Sequence, residues 1–127
     1  MDIRSINASD APGASGSYAQ AVELRGCERL LFVSGQIPVT QDGEVPADFD
    51  TQCRLVWRNV EAQLAAAGMN LDHLVKVTTY LSDRRWRDAN GAIRREVLGA
   101  RTPALTVVIA GIYDEAWLLE IEAIAAA

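Results

Sequence analysis

The segment Leu118-Leu119-Glu120-Ile121-Glu122-Ala123-Ile124-Ala125 constrains the fold more than any other. It has the make-up of a buried β-strand, yet it carries two carboxylates. Successive side chains of a strand point to opposite faces, so Glu120, Glu122 and Ile124 share one side. Leu119, Ile121, Ala123 and Ala125 share the other. A carboxylate inside an apolar strand is costly unless it meets water, a partner or a ligand. Two readings stand side by side: acids at a wet sheet edge, in keeping with the habit of Glu to stay exposed, or an acid that works in a site.

The preceding chain supplies the other elements. Met1 to Ser15 is rich in Ser, Ala, Asp and Gly and reads as a loose lead-in. Tyr18–Leu24 and Arg29–Ser34 read as strands joined by a short polar turn, which predicts a hairpin. Gly35 to Ala47, punctuated by Pro38, Gly43 and Pro46, is an irregular loop. Asp48 is placed to cap a helix whose apolar stripe is Phe49, Cys53, Val56, Val60, Leu64 and Ala67, widened by Trp57. Asp50 precedes Arg54 by one helical turn as a supporting pair, and Gly68 closes the helix. Val75–Leu81 is a strand by its β-branched content. Ser82 or Asp83 caps a second helix that runs to about Leu98 and stops at Gly99. Its inward stripe is Trp86, Ala89, Ile93 and Val97, with Asn90 beside them, and Gly91 in mid-helix costs about 1 kcal/mol against Ala. Leu105–Ala110, entered through Pro103, is a fourth strand, and the segment around Glu120 is the fifth.

The order ββαβαββ predicts one α+β domain over residues 1–127, a mixed sheet with two helices on one face. Leu30–Val33, Leu105–Ala110 and Leu118–Ala125 are apolar on both sides. The uncovered face is therefore expected to be a large apolar patch, and such patches mark interfaces. The expectation is a homo-oligomer closed sheet against sheet, with a site between subunits.

Composition narrows the function. A net charge of −5 over 127 residues argues against a surface built for nucleic acid, but it does not exclude small anionic ligands, because one local Arg can outweigh the average. Two cysteines, Cys27 and Cys53, are too few for a disulfide framework or a zinc site. The polar start lacks the apolar core of a signal peptide, and no apolar run approaches a membrane span. A cytoplasmic protein with neither metal nor cofactor is expected. The single histidine, His73, sits in a polar turn with a surface role, so a serine or cysteine triad has no base. Four features remain as site candidates. The turn Ser34-Gly35-Gln36 can present backbone N–H groups to an anion. Asn90 is a satisfied core amide or a site group. Tyr18 is a strand residue or an aromatic lid. Glu120 and Glu122 are the acids already described.

Taken together these pieces resemble the Rid family (reactive intermediate deaminases, also called the YjgF or L-PSP endoribonuclease family), nearly end to end. Gly16-Ser17-Tyr18-Ala19-Gln20-Ala21-Val22 is similar to the family's G-P-Y-x-Q-A/G-V, with Ser17 where Pro is usual. Ser34-Gly35-Gln36-Ile37-Pro38-Val39, Gly43 to Asp48, Asn59-Val60, Ala66-Ala67-Gly68, Val75-Lys76-Val77-Thr78, Asn90, Pro103-Ala104 and Glu120 to Ala125 continue the match. The resemblance implies a chorismate-mutase-like fold and a homotrimer with clefts between subunits. It also implies hydrolysis of 2-imino and 2-enamino acids to 2-keto acids and ammonia. The counterparts of Tyr18, Ser34, Asn90 and Glu120 surround the small-molecule ligand there. The family's P-A-R-[ST] reads Pro103-Ala104-Leu105-Thr106, so Leu105 stands where an Arg forks the ligand carboxylate. Removing a charged hydrogen bond of that kind costs about 2–5 kcal/mol. Arg101, four positions earlier, lies roughly 13 Å away along an extended chain and cannot fill the same spot. Val107, where some members have Cys, makes the pocket drier, and an apolar wall at Leu105 is expected to raise the pKa of Glu120.

The expectation is a divergent Rid-type hydrolase of a small imine, enamine or related metabolite. Glu120 is its catalytic group, and Tyr18, Ser34, Gly35, Asn90, Leu105 and Val107 line its cleft. The alternatives are a non-catalytic trimer that binds a metabolite or a protein partner and, further off, an endoribonuclease.

Overall fold

In the computed structural model, which describes residues 1–127, two helices lie against one face of a four-stranded sheet. The strands are β1 (Asp2–Ile6), β2 (Ala21–Arg25), β3 (Leu30–Gln36), β4 (Leu74–Leu81), β5 (Ala104–Ile109) and β6 (Leu119–Ala126); the helices are α1 (Phe49–Ala66) and α2 (Arg87–Leu98). The main sheet has the order β3-β6-β4-β5. β6 runs antiparallel to both β3 and β4, and β4 runs parallel to β5, so the sheet is mixed. The strand with the two carboxylates is central, which explains its apolar make-up.

Alternation along β6 holds as the sequence predicts. Leu119, Ile121, Ala123 and Ala125 are buried under the helices, while Glu120, Glu122 and Ile124 face the other way. In β4, Val77, Thr79 and Leu81 point to the helices, and Lys76, Thr78 and Tyr80 to the open face. α1 starts where Asp48 accepts from Thr51 N–H at 3.0 Å. It ends in a left-handed Gly68 (φ 72°), with Met69 N–H donating to Leu64 C=O and Gly68 N–H to Ala65 C=O. Both Met69 and Leu64 are buried, so the termination is also a core contact. Cys53, Val56, Trp57, Val60 and Leu64 of α1 form one core with Val77, Leu81, Leu119 and Ile121 of the sheet and Ile93 and Leu98 of α2.

Several expectations need correction. Asp2–Ile6 is a strand, and it pairs antiparallel with β2 in a separate two-stranded sheet. The expected hairpin of the second and third segments is absent. β3 pairs with β6 instead, because only there can Leu31 and Val33 lie against the helices, and core burial outweighs the proximity of a tight turn. β5 is an edge strand whose residues from Thr106 to Ile109 are all exposed. Asp83 caps a separate 3-10 turn, Arg84–Trp86, before α2 begins at Arg87. Arg54 is held at 2.8 Å by Glu96 of α2 rather than by Asp50. The uncovered face is mixed, not uniformly apolar. Phe32, 71% exposed, and Ile124 share it with Ser34, Lys76, Thr78, Tyr80 and Glu122.

Candidate functional site

Two groups of side chains stand out, one on each face of the main sheet. On the helix side, the edge strand β5 extends beyond the cover of α2 and leaves a recess of about 910 Å³. Leu105, Val107 and Ile109 form one wall, because alternation and parallel register set them beside Val77, Thr79 and Leu81. The polar wall comes from α2, with Asn90, Gly91, Arg94 and Arg95 and, at its start, Arg87 and Asp88, and from Arg84 of the preceding 3-10 turn. Tyr18 closes the side. It is carried there by the stretch before β2, where Ala19 makes a parallel bridge to Ala104 and its N–H donates to Pro103 C=O at 3.1 Å. Ser5 of β1 reaches Thr102 at 2.8 Å, tying the small sheet to the same corner.

On the open face, Glu120 lies over Gly35. A Cβ at position 35 would fall onto Glu120 Oε2, so this close approach requires glycine. A register shift between Val33 and Gln36 aims the β3 backbone at that carboxyl. Burial, with the charge of Glu122 behind it, raises the pKa of Glu120 above the ordinary carboxylate value. Glu122 is occupied: Tyr80 O–H donates to it at 2.7 Å, and that bond raises the Tyr80 pKa. Lys76 Nζ donates to Thr106 Oγ1 at 2.7 Å on the same face.

The structure thus brings Tyr18, Asn90, Leu105 and Val107 together in the recess, with Asn90 only 3% exposed. It places Ser34, Gly35 and Glu120 on the opposite face of the same sheet. Leu105 of the same chain is therefore not what perturbs Glu120; the rise has the expected direction but comes from the carboxyl's own burial and from Glu122. Arg101 is bound to Asp72 at 2.7 Å and does not line the recess. His73 closes a local capping box by accepting from Asn70 N–H at 3.0 Å, a plain structural duty. Cys53 is buried, and burial pushes its thiol up to about 12. No group of three or more His, Cys, Asp or Glu side chains is placed to hold a metal ion, and no helix is long and apolar enough to cross a membrane.

Sequence reasoning missed the arginines of the recess. Arg94 follows Asn90 by one helical turn, so it shares the inward flank. That spacing was the available signal, and the polarity of Arg hid it.

Fold and side-chain placement together define a small α+β domain with one cluster of candidate site residues on each face of its sheet. The chain belongs to the Endoribonuclease L-PSP family, whose model matches residues 8–127, and with it to the Rid proteins. It is 37% identical over 118 residues to a RutC family protein of Pyrococcus horikoshii, covering 91% of each chain. It is 41% identical over 81 residues to the 2-iminobutanoate/2-iminopropanoate deaminase of Escherichia coli, covering 63% of this chain and 61% of that one. The matches to curated Escherichia coli relatives thus span only about three fifths of their length. Among solved structures, the Rid family protein YyfB of Yersinia pestis superposes with a TM-score of 0.86 at 26% identity over the whole of both chains.

Proposed function

We propose that the chain is a Rid-type hydrolase that deaminates a small imine, enamine or related metabolite, working as one domain in a homotrimer. One observation carries the reading. The recess with Tyr18, Asn90, Leu105 and Val107 and the carboxyl of Glu120 occupy opposite faces of one sheet. A second copy, laying its open face against the β5 edge of the first, supplies the missing half. Membership of the family, and relatives that carry deaminase names, support the type of reaction.

The chemistry then follows from the acid. Glu120 orients a water and accepts its proton as the oxygen adds to the C=N carbon. That proton returns to the nitrogen to give a carbinolamine; Glu120 then carries the hydroxyl proton to the same nitrogen, the C–N bond breaks, and ammonia leaves as the C=O bond forms. A carboxyl with a raised pKa suits both steps, since it holds the proton it has taken more readily than an ordinary carboxylate and can hand it on. Leu105 presents no donor, so a substrate carboxylate is not forked at that position.

The test compares wild type, Leu105→Arg and Glu120→Ala on 2-iminobutyrate, each checked for its assembly by sedimentation. Slow wild-type turnover, faster turnover in Leu105→Arg and none in Glu120→Ala are expected. Unchanged turnover in an intact Glu120→Ala assembly would sink the catalytic reading.

A further inference from the structure

Arg94 is a charged side chain in an unusual setting. It is only 8% exposed, its Nε is buried without a hydrogen-bond partner, and it borders the recess. Its nearest aromatic neighbour is Tyr18, whose ring centroid lies 5.9 Å from Cζ, the far edge of cation–π range. The ion pairs of the chain join Arg4, Arg25, Arg54, Arg85 and Arg101 to acids, but not Arg94. Burying a guanidinium without an acceptor is costly. Here burial and the like charge of Arg95 both pull the Arg94 pKa down. Arg84, Arg87 and Arg95 border the same recess, against a single acid, Asp88. In a chain of net charge −5, this concentration of positive charge is local and directed.

We infer that the recess is an oxyanion site in which Arg94 forks the carboxylate of a small organic acid. The two sides of the recess indicate the kind of anion. Leu105, Val107 and Ile109 form an apolar wall facing the arginines. Such a wall gives a wholly polar ion such as phosphate nothing to bury, whereas a short-chain carboxylate uses both sides. A planar two-oxygen acceptor also matches the guanidinium fork. The inference deepens the reading above by stating the charge of the ligand and the residue that holds it, without requiring turnover.

The test is direct binding to the intact protein by calorimetry, with butanoate, its uncharged isostere butanamide and inorganic phosphate as probes. Butanoate binding at least about tenfold tighter than either of the others is expected for wild type. Arg94→Met should lose at least about tenfold for butanoate and leave butanamide unchanged. Arg94→Lys keeps the charge without the fork; should the Met variant not fold, its own loss of butanoate affinity, with an unchanged melting temperature, decides. Equal affinity for butanoate and butanamide, undiminished binding in folded Arg94→Met, or phosphate as the tightest probe would overturn the assignment. Butanoate binding in a protein that hydrolyses no imine would leave the anion site standing and remove the hydrolase, so the two failures are distinguishable.

Discussion

At the scale of single residues, Gly35 and Glu120 act as a unit. The atoms nearest to a methyl at position 35 all belong to the Glu120 side chain, the carboxyl first. Gly35→Ala is expected to swing the carboxyl away at little cost in stability, so turnover should fall at least about tenfold while the melting temperature shifts by no more than about 3 °C. A large drop in melting temperature would mean that the glycine serves the fold instead. Glu120 also makes stability depend on pH. Its pKa is raised in the folded chain above the ordinary value of 4.5, so the folded state holds the proton more tightly than the unfolded state. Its contribution therefore falls as pH rises from the ordinary value through the raised one. Glu120→Gln does not titrate, and the variant should gain on wild type as pH rises above the ordinary value of 4.5 in denaturant melts. A difference that stays constant with pH would contradict the raised pKa.

At the scale of elements, the telling residue is Gln52, which a stripe of apolar positions does not single out. It is buried on α1 and uses its whole amide. Nε2 donates to Pro46 C=O at 2.8 Å and to Ala116 C=O at 2.9 Å, and Oε1 accepts from Leu118 N–H at 2.8 Å. One side chain thus fastens the loop before α1 and the approach to β6. Gln52→Ala takes the partner from three backbone groups in part-buried bonds and should cost about 1–3 kcal/mol in urea unfolding. A loss under about 0.5 kcal/mol would show that water replaces the amide. The start of α2 is held by the first residues of the two apolar stripes, Phe49 of α1 stacked on Trp86 with centroids 4.9 Å apart and planes 5° from parallel. This stack fixes the corner from which Arg84 and Arg87 reach the recess.

At the scale of the molecule, the proposed cleft requires assembly. The open face offers Phe32 and Leu30, 71% and 52% exposed, among polar neighbours. That mixture suits an interface containing a wet cleft better than it suits a dry core. Phe32→Asp is expected to yield a folded monomer by sedimentation and circular dichroism, without turnover on imines. A variant that stays trimeric would place the contact elsewhere. The same mutation should leave butanoate binding in the recess within about threefold of wild type, because all of that site's arginines belong to one chain.

How much of this was legible in the chain depended on whether the signal was local. Periodicity marked α1, β4 and β6 and the faces of Glu120 and Ile121, because helix and strand repeats are set by backbone geometry alone. Glycine marked the end of α1 for the same kind of reason: Gly68 has a positive φ. Motif order revealed the family, and with it named Tyr18, Asn90 and Glu120 as candidates. Strand partnership was a different matter. β1 and β2 form their own pair, and β3 left its sequence neighbour for β6, because pairing is decided by which apolar faces can be buried together at long range. Only the tertiary structure put Leu105 and Glu120 on opposite faces, set Arg94 beside Tyr18, and closed a basic recess in an acidic chain. Those facts depend on which segments meet in space, and no residue's own propensities carry that information.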